Sequence, residues 1–453
     1  MTNTATSNPL KTEPVGKLLL KFSIPAIVGM MVNALYNVVD RIYIGWLGPL
    51  AMTGIGLNLP FMTLLMAFGM LIGIGGGAII SIRLGEGNRD GAEKILGNAF
   101  TLLIIVMSSI SVLGLIFKLP LLYLFGASDA TIDFANSYIS IILLGAIFQG
   151  LGFGLNNIIR AEGSPQTAMY TMLLGAFANI VLDPVFIFVF KMGIAGAALA
   201  TILSQLISTI WVLHHFLSGK SKLVLKRENL KLDPSLISSI FSIGMSPFFM
   251  QVAASIVTII SNNALKNYGG DIAIGAMTVI NAVVIFFLMP IFGLNQGSQP
   301  IIGFNYGAKQ FDRVKQALKL AILAASAICF VAFISTQFFT VYLIKIFNRD
   351  PELISVATSG MRIFLCMLPF IGFQIISANY FQAVGKAPKA MFLSLLRQVI
   401  VLIPMLLIMP HFFGLTGVWL AGPIADFSAT VVTAIFIFNE IRHLDDSYKL
   451  EMV

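Results

Sequence analysis

Charge is scarce in this sequence. Only 11% of its 453 residues are Asp, Glu, Lys or Arg, where a soluble protein carries roughly 25%. That shortage argues against any soluble domain of useful size. Cysteine is scarcer still, and the two present, Cys329 and Cys366, fall inside apolar stretches. Neither a disulfide framework nor a Cys-rich metal site fits such usage. The four histidines, His214, His215, His411 and His443, are scattered near the ends of apolar segments, which speaks against a membrane-embedded enzyme built on clustered His or acids. No Walker A run, HExxH or GxSxG occurs, and Gly75-Gly76-Gly77 lacks the Lys-Ser/Thr that a phosphate loop needs. A single-chain ATP-driven pump is thereby excluded, and no cofactor is expected. The first sixteen residues are polar, with Lys11 and Glu13, and no small-residue cleavage site follows a short apolar core. The first apolar segment therefore reads as a retained helix and not as a signal peptide.

What is present is apolar surface: 57% of the residues are hydrophobic and the mean hydropathy is +0.92. A transmembrane helix needs ~20 predominantly apolar residues. Twelve stretches qualify: 18–44, 52–82, 95–117, 132–159, 166–190, 194–216, 236–265, 272–304, 316–344, 354–381, 388–410 and 415–440. The net charge of +8 is spread over the short loops between them, so nucleic acid is not an expected partner. With the N-terminus inside, the inner segments carry 20 basic residues and the outer loops 5, leaving Arg41, Arg362 and Arg397 in or near helices uncounted. That bias places both termini in the cytoplasm of a multi-pass cell-membrane protein. The longest polar connection, Ser218–Pro234, separates six helices from six. The expected domains are residues 1–217, a cytoplasmic linker 218–235, and residues 236–453.

The two halves repeat at an offset of 222: Pro25 matches Pro247, Asp40 matches Asn262, Gly48 matches Gly270, Gly75 matches Gly297, and Asn157 matches Asn379. After one deletion the offset is 221, and Gly193 matches Gly414 and Gln205 matches Asp426. Each half has an even number of helices, so the repeat is parallel about an axis along the membrane normal. The predicted fold class is an all-α polytopic membrane protein, with twelve transmembrane helices in two six-helix lobes related by pseudo-two-fold symmetry. Such lobes suit alternating access to a substrate held near the midplane.

Asn33, Asn37 and Asp40 stand at i, i+4 and i+7 in the first helix and share one face. An acid at that depth is a functional-site candidate by default. Arg41 points about 100° away, so it is not the obvious partner. A second deep acid, Asp183, shares a helical face with Asn179 and precedes Pro184, which has no N–H to give the preceding turn. Carboxylates, an amide oxygen and freed carbonyls are hard oxygen ligands, suited to a proton or to Na⁺ at Asp40 and Asp183. The plain alternative is that Asp40 pairs with a basic group and Asp183 caps a broken helix. In the second half Asp40's place is taken by Asn262, so one asymmetric ion site is expected. Asp426, the one deep acid there, has Arg397 or Arg362 as its candidate structural partner.

Tyr138, Asn156, Asn157, Thr201 and Gln205 add polar groups to the fourth and sixth helices. Each is open to reading as interhelical glue or as substrate path. Gly69, Gly73 and Gly77 form small-xxx-small steps that read as close helix packing. Of the 37 Phe and 21 Met residues, Phe286, Phe287 and Met289 are candidates to line an adaptable cavity.

YNVVDRIYIG in the first helix, the loop LGEGNRDGAEK, NNIIRAEGSPQTAMY, NIVLDP in the fifth helix and their echoes in the second half, taken together in this order, resemble the multidrug and toxic compound extrusion (MATE) family, in its MepA-like bacterial branch. The resemblance covers nearly the whole chain. It implies two six-helix bundles and export of small organic cations driven by inward H⁺ or Na⁺ flow. It also implies an N-lobe cation site, which maps onto Asp40, Asn179, Asp183, Thr201 and Tyr138. No match exists to the branch with deep acids in the seventh and eighth helices. The expectation is a monomeric multidrug antiporter in the lipid bilayer, with Asn33, Asn37, Asn156, Asn157, Gln205 and Met289 along the substrate path. The alternative is a lipid-linked oligosaccharide flippase of the related superfamily, which calls for a basic cavity that Arg362 and Arg397 alone supply poorly.

Overall fold

Apolar runs of this length, with no water to satisfy their backbone, have to close their hydrogen bonds within the segment, and the chain does so as helix. In this computed structural model the described residues, 9–219, 221–347 and 349–451, are helices joined by short connections, with no strand among them. Lys220, counted above among the inner cations, lies outside the described residues, and the side chain of Lys449 does too.

Among the described residues eight helices are long and apolar enough to cross a membrane: Val15–Gly45, Leu50–Gly85, Arg89–Leu124, Pro165–Val189, Gly193–Leu217, Pro234–Gly307, Phe311–Phe338 and Ala387–Leu444. Two bent pairs, Ile132–Leu144 with Ala146–Ala161 and Pro351–Phe364 with Leu368–Ala383, add a crossing each. Two of the eight hold two crossings. Gly270, at φ 66°, and Gly414, at φ 57°, leave helical geometry in mid-run and turn the chain. Their repeat mates Gly48, at φ 110°, and Gly193, at φ 55°, make the matching turns in the first half. A left-handed backbone tolerates glycine best, so the repeat preserves glycine where the chain reverses. The described crossings number twelve in order, and they are called the first to twelfth helices below.

Two helices expected to be continuous are bent. The fourth bends by 56° at Gly145, where Ile202 of the sixth helix presses so close that a Cβ would stand 2.4 Å from its Cγ1. The tenth bends by 51° between Phe364 and Leu368. Pro369 follows, and it can give no N–H to the carbonyl of residue 365. The third helix begins earlier than its apolar run. Asn88 caps it by accepting from Gly91 N at 2.8 Å, and its first turns are polar.

Contacts group the chain into two compact units. One is residues 24–248; the other is residues 249–453 with the stretch ending at Ser23. Within the first, Gly73 of the second helix meets Gly154 of the fourth, where a Cβ would lie 2.6 Å from the Gly154 Cα. The small-residue steps thus bring two backbones together. At Gly75 a Cβ would come 2.3 Å from Ile240 O; at its mate Gly297, in the second unit, a Cβ would come 2.7 Å from Ser23 Cα. The connection after the sixth helix is a strap laid on the third helix. Asp233 N donates to Asn98 Oδ1 at 2.8 Å, Thr101 Oγ1 donates to Leu230 O at 2.9 Å, and Lys226 Nζ lies 2.6 Å from Glu93 Oε2.

Candidate functional site

The first helix runs unbroken from Val15 to Gly45 through Pro25 and carries the polar stripe. Asn37 Nδ2 donates to Asn33 O at 2.7 Å and lies 3.2 Å from Asn33 Oδ1. The Asn37 amide is thus held along the helix by Asn33. Asp40, one turn on, is partly buried, and its Oδ1 has no hydrogen-bond partner. Arg41 makes no ion pair with it among the described residues. An aromatic cluster ties this helix's far end to the fifth: the rings of Tyr43 and Trp46 lie 6.4 and 5.8 Å from that of Phe188.

The fifth helix supplies the facing groups. It is α-helical through Pro184 and π-helical over Val185–Val189. The irregular turn, expected before Pro184, falls after it. Pro184 keeps helical φ, so the upstream turn survives the missing N–H, and the register is lost in the next turn. Asn179 and Asp183 share a buried face, 1% and 0% exposed. Asn179 Nδ2 donates to Asp183 Oδ1 over a long 3.4 Å. Asp183 Oδ2 and Asn179 Oδ1 are buried with no partner. The Asp40 and Asp183 carboxyl groups face each other closely enough to hydrogen-bond when one carries a proton.

Tyr138 and Thr201 complete the group. The Tyr138 hydroxyl, buried, lies beside the Thr201 hydroxyl and within the field of both acids. Thr201 Oγ1 is held by donating to Ala197 O at 2.9 Å. Tyr36 belongs here as well, beside Asn37 and close to Asp40 and Asp183. Sequence reading passes over it, although its i, i+4 spacing to Asp40 is a usable signal.

The other candidates do not all join them. Asn157 accepts from Arg160 Nη2 at 2.6 Å and donates to Phe153 O at 2.9 Å, which commits it to its own helix. Asn156 is buried with an unpartnered Oδ1. Gln205 is partly buried on the sixth helix, and Met289 is partly buried in the second unit. Asp426 has its partner: Arg397 donates Nε to its Oδ1. Arg362 instead reaches Thr340 Oγ1 at 3.4 Å.

Three unpartnered oxygens from two helices, two of them on carboxyl groups, form a hard oxygen-donor set that no ion pair closes among the described residues, although Arg41 lies within range of the Asp40 charge. Such a set can take a proton or a small cation and release it.

The sequence matches the MatE family model over residues 25–185 and 247–408, once in each half. The chain is 28% identical over 433 residues to the multidrug export protein MepA of Staphylococcus aureus (strain MSSA476), covering 94% of each chain. Among solved structures it resembles the MATE multidrug transporter DinF-BH, at TM-score 0.89 and 39% identity, over 97% of this chain and 98% of that one. It also resembles the outward-facing conformation of a multidrug resistance MATE family transporter, at TM-score 0.92 and 25% identity, over 98% and 99%. With both repeats matched and twelve apolar crossings in place, the chain is a multi-pass membrane transporter, not an enzyme, and belongs to the MatE family.

Proposed function

We propose that this transporter exports small organic cations by alternating access and is driven by H⁺ or Na⁺ entering through Asp40, Asp183 and Asn179. The observation that carries the reading is the set of three buried oxygens, Asp40 Oδ1, Asp183 Oδ2 and Asn179 Oδ1, which no hydrogen bond satisfies. Leaving such groups unpaired in an apolar bundle is costly. A proton shared between the acids, a Na⁺, or a cationic substrate would each relieve that cost. Because all three answer the same negative charge, loading the ion from outside disfavours the substrate, and losing the ion inside restores the site for it. A ligand shifts such a cycle only through unequal affinity for its two states, and competition for one charge supplies the inequality. Tyr138 and Thr201 position the fourth and sixth helices at the acids, and Tyr36 and Asn37 extend the polar stripe.

In this reading the chain is a monomer in the cell membrane, with both termini cytoplasmic. The test is export of a fluorescent cation from proteoliposomes, with the H⁺ and Na⁺ gradients imposed one at a time. One of the two gradients should drive export. Asp40→Asn and Asp183→Asn should each reduce driven export by at least about 100-fold, the scale of a lost charge interaction in low dielectric, while the protein still folds. Full driven export in both variants would remove the acids from the coupling role.

A further inference from the structure

After Phe338 the ninth helix breaks and resumes as a short helix, Thr340–Phe347, before Pro351 opens the tenth. Thr340 and Ile344 are its buried face. Thr340 Oγ1 accepts from Arg362 Nε at 3.4 Å, and Gln337 Nε2 donates to Arg362 O at 3.0 Å, so the break is pinned to the tenth helix. The opposite face carries Tyr342, Lys345 and Ile346 at i, i+3 and i+4, all exposed. With Phe347 and Arg349 they line an open cavity of about 590 Å³. Neither Lys345 nor Arg349 makes a hydrogen bond or ion pair among the described residues. The neighbouring carboxylate of Asp350 caps the tenth helix, its Oδ1 accepting from Glu352 N at 2.9 Å and Leu353 N at 3.0 Å.

The fold does not require charge at these positions. At the offset of 222 the first half carries Tyr123 and Ala127 in place of Lys345 and Arg349. Outer loops are generally poor in basic residues, yet two of the five counted there stand four positions apart on one cavity. The wall around them is apolar and open: Phe339, Ile346 and Phe347 are 55%, 75% and 53% exposed. Aromatic rings and long cationic side chains together mark the level where a bilayer's headgroups meet its acyl chains. A guanidinium offers paired N–H groups to two phosphate oxygens, and an ammonium adds a point charge beside them. A soluble anion gains nothing from the apolar wall, whereas a lipid covers it with its chains. A headgroup that also carries an ammonium brings like charge to both cations, so the cavity favours a headgroup of net negative charge.

We propose that this cavity binds an anionic phospholipid, its phosphate between Lys345 and Arg349 and its acyl chains along Ile346 and Phe339. The site stands apart from the coupling acids. Its place in the outer leaflet rests on the orientation proposed above; the lipid class does not.

The test reads the cavity alone. Phe339→Trp places a fluorescent reporter on its apolar wall, and the signal of the three native tryptophans is subtracted with the unreplaced chain. The full chain is set in phosphatidylcholine nanodiscs containing brominated phosphatidylglycerol, and then in nanodiscs with the bromine on the phosphatidylcholine. Quenching should show phosphatidylglycerol preferred by at least about 10-fold, the scale of two cations near one lipid phosphate. Lys345→Gln with Arg349→Gln should bring the preference to within about 2-fold of none. Lys191→Gln with Lys266→Gln removes the same charge from other outer loops and should leave the preference intact. No preference in the parent chain, one that survives loss of Lys345 and Arg349, or one that falls equally in both double variants overturns the site. Relief of the quenching by millimolar inorganic phosphate reassigns the cavity to a soluble anion and overturns the lipid. Nanodiscs present both leaflets, so these outcomes hold whichever way the chain is inserted. Labelling of Arg349→Cys on intact cells by an impermeant maleimide, above the parent chain's level, is expected for the outer leaflet, and its absence overturns that placement.

Discussion

The two halves of this chain are built to one pattern and charged to different ends. In the first, Asp40 and Asp183 face each other, each with one buried oxygen that no hydrogen bond satisfies among the described residues. In the second, Asn262 stands where Asp40 does, and the buried acid Asp426 is bonded to Arg397. One half thus holds negative charge that awaits a cation; the other holds a neutralised pair. Repeats keep what the fold demands, the glycines at turns and close crossings, and diverge where chemistry is carried. The unequal charge is why a two-fold repeat can run a one-sided ion site.

The largest effect that would break this comparison is on stability. Asp426→Asn leaves the partly exposed Arg397 without its anion and should cost about 1.5–3 kcal/mol. Asp183→Asn strands nothing and should cost less than about 1 kcal/mol, since the bond it keeps from Asn179 is long. Thermal unfolding of the two variants in one detergent compares them directly, and equal losses would mean that the acids have equivalent surroundings.

Next in size are the glycine crossings, where the halves should behave alike. Gly75→Ala and Gly297→Ala each push a Cβ into backbone and should each destabilise by about 1–3 kcal/mol. A loss at one and none at the other would show that the repeat is one of sequence alone.

The smallest effect concerns the strap on the third helix. Lys226 is held above its ordinary value by the hydrogen bond to Glu93. A raised value means that the contribution is fully present below the ordinary lysine value of 10.5 and fades as pH climbs through the folded one. Lys226→Ala should therefore lower the melting temperature slightly at neutral pH, by less than either glycine change, and not at all in strong alkali. A difference that persists in alkali would assign Lys226 to packing and not to charge.

Much of the fold was legible in one dimension. Hydropathy marks each crossing because the bilayer demands a minimum apolar length, and an offset of 222 marks the repeat because glycine is retained at Gly48 and Gly270 where the chain must turn. The bends of the fourth and tenth helices were not legible, since Gly145 yields to Ile202 from another helix and the break before Pro369 sits inside an unbroken apolar run. Asn157 reads as part of a substrate path because it is polar and deep; its bond to Arg160 depends on rotamers that spacing does not set.

The sequence by itself determined that Asp40 is a costly acid on a polar face, that Asp183 shares a face with Asn179, and that the second half lacks both acids. Spacing along a helix fixes which side chains share a face. Only the tertiary structure decided that Asp40 and Asp183, separated by most of the first half, meet across two helices, that Tyr36 joins them, and that Arg397 rather than Arg362 answers Asp426. Which helices touch is settled by packing among distant segments, and nothing local encodes it.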